Sequence, residues 1–123
     1  MGDIAGLSVL LVEDEYLIAL DAAEILKGLG VANVETVATF ERAEKHAVDG
    51  QFDVAVLDVN INGRYSFPIA KTIEQRGIPV VFASGYELRD RATGLGDVIC
   101  VTKPYTGERL KSALSAALAK APP

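Results

Sequence analysis

The sequence is poor in the features that mark secreted, membrane-spanning or nucleic-acid-binding chains. It contains a single cysteine, Cys100, so no disulfide can form within the chain, which suits a reducing cytoplasm. Residues 1–15 have no basic segment, and their apolar run is too short for a signal peptide or a membrane span. Lys and Arg number 12 against 17 Asp and Glu, a net charge of -5 that disfavours nucleic acid as a partner. We expect a cytoplasmic protein that binds neither membrane nor nucleic acid.

The chain also lacks a linker, a low-complexity segment and any break in composition that would divide it. Its 123 residues, half of them hydrophobic, are close to the commonest domain size. We therefore expect one domain over residues 1–123.

Short apolar runs alternate with amphipathic stripes along the whole chain. The runs predict strands over 8–12, 33–37, 54–58, 78–83 and 98–102. The stripes predict helices over 16–29, 40–48, 67–76 and 107–120, with a weaker one over 87–96. Strict alternation is typical of an α/β protein with a doubly wound parallel sheet. With five strands, a (βα)5 arrangement in the flavodoxin-like order 2-1-3-4-5 fits best, with its crevice between strands 1 and 3.

Polar side chains follow four of the five predicted strands. Strand 1 is followed by Glu13 and Asp14, strand 3 ends in Asp58, strand 4 leads to Ser84, and strand 5 leads to Lys103. In the order 2-1-3-4-5 the contributing strands are neighbours, and ligand crevices lie at the carboxyl ends of such strands. We therefore expect all five side chains to face one crevice.

Three carboxylates in one crevice would repel one another unless cations offset their charge. Lys103 supplies one cation, and a divalent metal is the natural second one. Carboxylates, a carbonyl and waters are the ligands that Mg²⁺ accepts. The expected Mg²⁺ ligands are Glu13, Asp14, Asp58 and the backbone carbonyl of Asn60.

A Mg²⁺ site beside a carboxylate suits phosphoryl chemistry. Asp58 would act as the nucleophile and form an acyl phosphate, while Lys103 and Ser84 would bind phosphoryl oxygens. Simpler roles are also open at this point. The acid pair could cap the first helix, Ser84 could belong to a turn, and Lys103 could be a surface lysine.

Four motifs together resemble the receiver domain of two-component response regulators: VLLVEDE, VLDVN, FASG and TKPY. Residues 82–86 further resemble the Phe-Ala-Thr-Gly-Tyr group of receivers common in alphaproteobacteria, with Ser84 in place of Thr. The resemblance implies that a sensor histidine kinase, often of the HWE type in that group, passes a phosphoryl group to Asp58. It also implies a downstream protein or phosphotransfer partner, a monomer or weak homodimer, and a domain that catalyses only its own phosphorylation and dephosphorylation.

The chain departs from ordinary receivers near the expected site. The loop over 59–66 lacks the usual proline. Cys100 occupies the usual aromatic switch position, and we predict that it is a buried small hydrophobe. Tyr86 is then the candidate for the switch role, and Tyr105 is a candidate for an interaction surface. Because the fourth helix is weak, we expect switching there to order a loop.

The leading hypothesis is a stand-alone phospho-receiver without an output domain. A pseudo-receiver that is never phosphorylated is the first alternative, since the loop after Asp58 is altered. A haloacid-dehalogenase-type phosphatase also uses an Asp nucleophile and Mg²⁺, but that type expects a second Asp where Asn60 stands. A nucleotide- or flavin-binding module is disfavoured because no glycine-rich loop follows the first strand.

Overall fold

A computed structural model describes residues 4–84 and 98–120 of the chain. Its strands are β1 (Ser8–Val12), β2 (Asn33–Val37), β3 (Val54–Asp58), β4 (Asn60–Ile61), β5 (Arg64–Tyr65), β6 (Val80–Ser84) and β7 (Ile99–Thr102). Its helices are α1 (Tyr16–Gly28), α2 (Phe40–Asp49), α3 (Phe67–Gln75) and α4 (Gly107–Lys120). The helix expected over 87–96 lies outside the described residues.

Five strands form one parallel sheet in the order β2-β1-β3-β6-β7. With strands numbered as the sequence predicted them, this is the order 2-1-3-4-5, so the predicted flavodoxin-like α/β fold is confirmed. The central strand β3 is buried along its whole length, as expected for an apolar strand covered on both faces. The more polar β2 lies at one edge, where only its last residue, Val37, is buried.

Helices pack on both faces of this sheet and create two apolar layers. One layer joins the sheet to α1 and α4 through residues such as Leu26 and Leu114. The other joins it to α2 and α3 through residues such as Phe40 and Ile73. The sheet is therefore covered by helices on both faces, and the carboxyl ends of its parallel strands lie at one edge. No described helix combines the length and the apolar composition that crossing a bilayer requires.

A glycine ends α1 through its backbone conformation. Gly30 has a φ of 98°, a region that favours glycine. Its N–H donates to the Lys27 carbonyl at 3.0 Å, and the Val31 N–H donates to the Leu26 carbonyl at 3.2 Å. This pair of bonds is the Schellman arrangement that satisfies the last carbonyls of a helix.

Three details differ from the sequence predictions. The fourth strand of the sheet covers Val80–Ser84 instead of 78–83, although the Pro79 carbonyl still accepts the Ala55 N–H. The region over 59–66 is not a simple loop, because β4 and β5 pair there as a two-stranded antiparallel hairpin. The prediction that Cys100 is buried was wrong: it is exposed on β7, which lies at the opposite edge of the sheet from β2, and Val101 is the residue that points into the core.

Candidate functional site

The first acidic residue after β1 is fully buried. The Glu13 N–H continues the sheet by donating to the Val37 carbonyl at 3.0 Å, so its backbone is fixed by β2. Its side chain is 0% exposed. One carboxylate oxygen, Oε1, accepts the Glu15 N–H at 3.1 Å, and the other, Oε2, lies 2.9 Å from Lys103 Nζ. Glu13 therefore belongs to the interior of the site.

The second acid, Asp14, is half-buried and faces the β4–β5 hairpin. Its Oδ2 atom accepts the backbone N–H of Asn62 at 2.8 Å. The Asn62 side chain in turn donates to the Ala38 carbonyl at 3.2 Å, which anchors the turn of the hairpin beside the start of α2. Asp14 is thus held at the rim of the site by residues distant in the sequence.

Asp58 ends β3 with its side chain almost closed off from solvent, the residue being 8% exposed. Its Oδ2 atom lies 3.0 Å from Lys103 Nζ, and its Oδ1 atom accepts a long 3.4 Å hydrogen bond from the Asn60 N–H. The carboxylate therefore lies at the carboxyl edge of the sheet with only a small exposed fraction.

Lys103 reaches this edge from the far side, just after β7. Its backbone N–H donates to the Ser84 carbonyl at 3.1 Å, which extends the pairing of β6 and β7 by one residue. The peptide bond that follows, between Lys103 and Pro104, is cis. The ammonium group forms ion pairs with both Glu13 and Asp58, so two buried carboxylates share one cation.

The charges in this cluster do not balance. In the described part of the chain, three carboxylates face one ammonium group here. Burial raises the pKa of Glu13 to about 7, and the negative charge of Asp58 adds to the rise, while contact with Lys103 opposes it. Burial alone would lower the pKa of Lys103, but its contacts with Glu13 and Asp58 raise it overall. The site therefore carries excess negative charge, which a further cation would neutralise.

The donor set fits a hard divalent cation such as Mg²⁺. Carboxylate oxygens of Glu13, Asp14 and Asp58 all lie within 4.8 Å of one another. Glu13 Oε2 is buried, and its contact among the described residues is the 2.9 Å ion pair with Lys103 Nζ, a cation that Asp58 shares. Oxygen ligands of this kind suit Mg²⁺. Glu13, Asp14, Asp58 and the Asn60 carbonyl are the residues that would hold it.

The remaining predicted site residues have different outcomes. Ser84 is buried at the end of β6, paired in register with Thr102 and one residue beyond Ala83, the partner of Asp58. Its role toward a phosphoryl group stays a prediction. Asn60 is half-buried and opens β4, with its side chain accepting the Gly63 N–H at 2.9 Å.

Of the two tyrosines proposed for switching or interaction, the structure describes one. Tyr86 lies outside the described residues. Tyr105 is 7% exposed and belongs to the apolar layer between the sheet, α1 and α4. Burial raises the pKa of its phenol, and the charges of Glu13 and Asp58 add to the rise. The interaction or switch role of Tyr105 stays a prediction.

The structure also brings two residues to the site that sequence reasoning did not select. Asn62 contacts Asp14 through its backbone, and Ser66 contacts the Asp58 carbonyl through its hydroxyl group at 2.6 Å. Asn62-Gly63 is a dipeptide typical of hairpin turns, and this signal could have predicted the hairpin. Nothing in the local pattern marks Ser66.

A flavodoxin-like sheet with an acid cluster and a lysine at its carboxyl edge defines a receiver-type α/β domain. The family of response regulator receiver domains matches residues 9–115, and the chain belongs to this family. Such domains are generally signalling domains of two-component systems that receive phosphoryl groups from histidine kinases, and they bind Mg²⁺ at an acidic pocket.

Curated relatives and solved structures agree with this family. The chain is 30% identical to the sensory transduction protein LytT of Bacillus subtilis over 88% of its own length and 46% of LytT. It is 29% identical to the transcriptional regulatory protein PdtaR of Mycobacterium tuberculosis over 91% of its length and 57% of PdtaR. The chain thus spans about half the length of these relatives.

Two solved structures match over almost their whole length. SdrG from Sphingomonas melonis Fr1 is 37% identical with a TM-score of 0.78, and the match covers 97% of this chain and 99% of SdrG. A response regulator receiver protein from Sinorhizobium medicae is 26% identical with a TM-score of 0.81, covering 94% and 96% of the two chains. PhyR from Bartonella quintana, an anti-anti-sigma factor, matches over 48% of its chain at 25% identity.

Proposed function

We propose that this chain is a stand-alone receiver that accepts a phosphoryl group on Asp58 in a Mg²⁺-dependent reaction. The observation that carries the proposal is the surroundings of the Asp58 carboxylate. It lies 3.0 Å from Lys103 Nζ and shares a ligand cluster with Glu13 and Asp14 at the carboxyl edge of the sheet. The match with SdrG along 99% of that chain supports the stand-alone form.

In the proposed reaction, an Asp58 carboxylate oxygen attacks the phosphorus of a phosphohistidine. The new O–P bond forms as the P–N bond breaks, and the bonding electrons return to the imidazole nitrogen. Lys103 stabilises negative charge on the phosphoryl oxygens, and the Ser84 hydroxyl donates a hydrogen bond to one of them. A bound Mg²⁺ would supply further charge neutralisation and orientation of the phosphoryl group.

We further propose that the donor is a sensor histidine kinase of the HWE type and that the signal leaves through protein–protein contacts. The HWE type is proposed from the resemblance of residues 82–86 to the Phe-Ala-Thr-Gly-Tyr group. The likeness to SdrG and PhyR supports the protein–protein contacts, because PhyR is an anti-anti-sigma factor. The same likeness makes a second protein or a phosphotransfer domain the expected recipient of the signal.

Intact-mass spectrometry tests the acceptor directly. We expect one added phosphoryl group after incubation with Mg²⁺ and acetyl phosphate, no adduct on Asp58→Asn, and a normal adduct on Asp49→Asn. Asp49 is a suitable control because it is an exposed residue at the end of α2, with the same change in charge.

Some receivers accept the phosphoryl group only from their kinase, so a second probe is needed. Beryllofluoride mimics a phosphoryl group, and a BeF3-activated conformation is known for SdrG. Binding of beryllofluoride with Mg²⁺ should shift the amide NMR signals of residues around Asp58. The absence of both the adduct and these shifts would favour the pseudo-receiver alternative.

A further inference from the structure

Ser66 is a buried polar residue whose hydroxyl group points away from the helix that it precedes. It is 0% exposed and occupies the N-cap position of α3 without making a side-chain capping hydrogen bond. Serine at this position usually accepts a hydrogen bond from the first turn of the helix. Here the hydroxyl instead lies 2.6 Å from the Asp58 carbonyl and 3.3 Å from the Val59 carbonyl, and it donates to the backbone of the site.

We propose that Ser66 is a positioning residue for the acceptor and metal site, an inference that rests on the proposed function. Its hydroxyl holds the two peptide groups that connect Asp58 to Asn60. These groups determine the direction of the Asp58 side chain and of the Asn60 carbonyl, which is an expected Mg²⁺ ligand. Ser66 contacts no reacting atom and acts only through this backbone.

The hydrogen bonds around the two peptide groups support this role. The first group is held on one side by the Val59 N–H, which donates to the Ala83 carbonyl at 3.1 Å, and on the other by Ser66 Oγ. The second group directs the Asn60 N–H toward Asp58 Oδ1 at 3.4 Å. Its carbonyl, that of Val59, accepts the Ser66 N–H at 2.8 Å. Ser66 thus contacts the carbonyl oxygen of both groups.

The two ends of the β4–β5 hairpin are anchored independently. The turn is anchored by Asn62, whose N–H donates to Asp14 at 2.8 Å. The base is anchored by Ser66, whose hydroxyl group donates to the Asp58 carbonyl. Loss of the Ser66 hydroxyl should therefore disturb Asp58 and Asn60 and leave the Asp14 contact in place. Removing a group that hydrogen-bonds to a metal ligand and orients it typically lowers metal affinity or activity by about 10- to 100-fold.

The test compares Ser66→Ala with Ser66→Thr, which keeps the hydroxyl group. Mg²⁺ affinity is measured by titration of backbone amide NMR signals, which report on the folded molecules alone. The rate of adduct formation with acetyl phosphate is measured by mass spectrometry. Two controls lie on α3: Thr72→Ala removes a hydroxyl-to-carbonyl hydrogen bond of 3.1 Å that is remote from the site, and Ile73→Val loosens the buried face of the helix.

We expect Ser66→Ala to bind Mg²⁺ about 10-fold more weakly and to react about 10-fold more slowly, with Ser66→Thr and both controls close to wild type. If Ser66→Ala lowers the melting temperature but keeps wild-type Mg²⁺ affinity and rate, the hydroxyl only stabilises the fold and the proposal is overturned. If the wild type itself neither binds Mg²⁺ nor forms an adduct, the proposed function fails first, and the positioning role fails with it.

Discussion

Replacing Glu13 by Gln should stabilise the metal-free protein at neutral pH. Glu13 is fully buried beside Asp58, and burial raises its pKa from an ordinary 4.5 to about 7. Because the folded protein holds this proton more tightly than the unfolded chain, the stability from protonated Glu13 is complete below pH 4.5. It is lost as the pH rises through 7. Gln carries no charge at any pH and still offers an oxygen to the Glu15 N–H.

The size of the effect follows from the two pKa values. Each pKa unit corresponds to about 1.4 kcal/mol. Because the pKa of Glu13 rises from 4.5 to about 7 on folding, deprotonation of Glu13 lowers the unfolding free energy of the wild type by about 3 kcal/mol in total. About 2 kcal/mol of this loss falls between pH 5.5 and pH 8, a range that stays above the pI. Over that range, the unfolding free energy of Glu13→Gln should gain about 2 kcal/mol relative to the wild type.

Urea denaturation in the presence of a chelator, repeated from pH 5.5 to pH 8, measures this difference. Glu15→Gln is the matched control, because it removes the same charge from an exposed neighbour and should show no such gain. At pH 8, Mg²⁺ should raise the unfolding free energy of the wild type more than that of Glu13→Gln. Parallel pH profiles for the wild type and Glu13→Gln would refute the reasoning that Glu13 is a destabilising buried charge.

Three further substitutions probe the lysine, the hairpin and α2. Lys103→Met should slow adduct formation by about 100-fold or more, because the charge nearest to Asp58 is removed; mass spectrometry measures the rate, and a wild-type rate would contradict the role. Gly63→Ala should lower the unfolding free energy by about 1 kcal/mol, because φ is 87° in open space; an unchanged urea midpoint would contradict this. Arg76→Ala should lower the unfolding free energy by about 1 to 2 kcal/mol, because it removes hydrogen bonds to the Ala47 and Gly50 carbonyls at 2.9 and 2.7 Å. Its Mg²⁺ affinity, measured by NMR, should be unchanged.

The fold could be predicted because its strongest signals are local and repeated. Apolar runs bounded by acids or glycines mark the strands, and residue spacing marks the helices that cover both faces. The strict alternation predicts a doubly wound parallel sheet, and with five strands the flavodoxin-like order is the best fit among the common orders. Cys100 shows the limit of this reasoning, since an apolar neighbourhood in the sequence does not distinguish an edge strand from a central one.

The site could be predicted to the extent that it lies at strand ends. Glu13, Asp58 and Lys103 directly follow or end strands of the sheet, and parallel strands bring such positions together without further information. Tyr105 could not be placed in the same way. It follows the Lys103–Pro104 bond, and the direction of its ring depends on packing against α1 and α4, which only the folded protein defines.

The β4–β5 hairpin is the part of the site that depends most on contacts between distant residues. Strands of two residues each are too short to be stable alone, so neighbouring elements must hold them. The Arg64 guanidinium lies 3.6 Å from the ring centroid of Phe40, and Asn62 contacts Asp14. The Tyr65 ring stacks on Phe67 at 5.5 Å. Because these contacts join α2, α3 and the acid cluster, a change in charge at the cluster has a direct physical route to α2 through the hairpin.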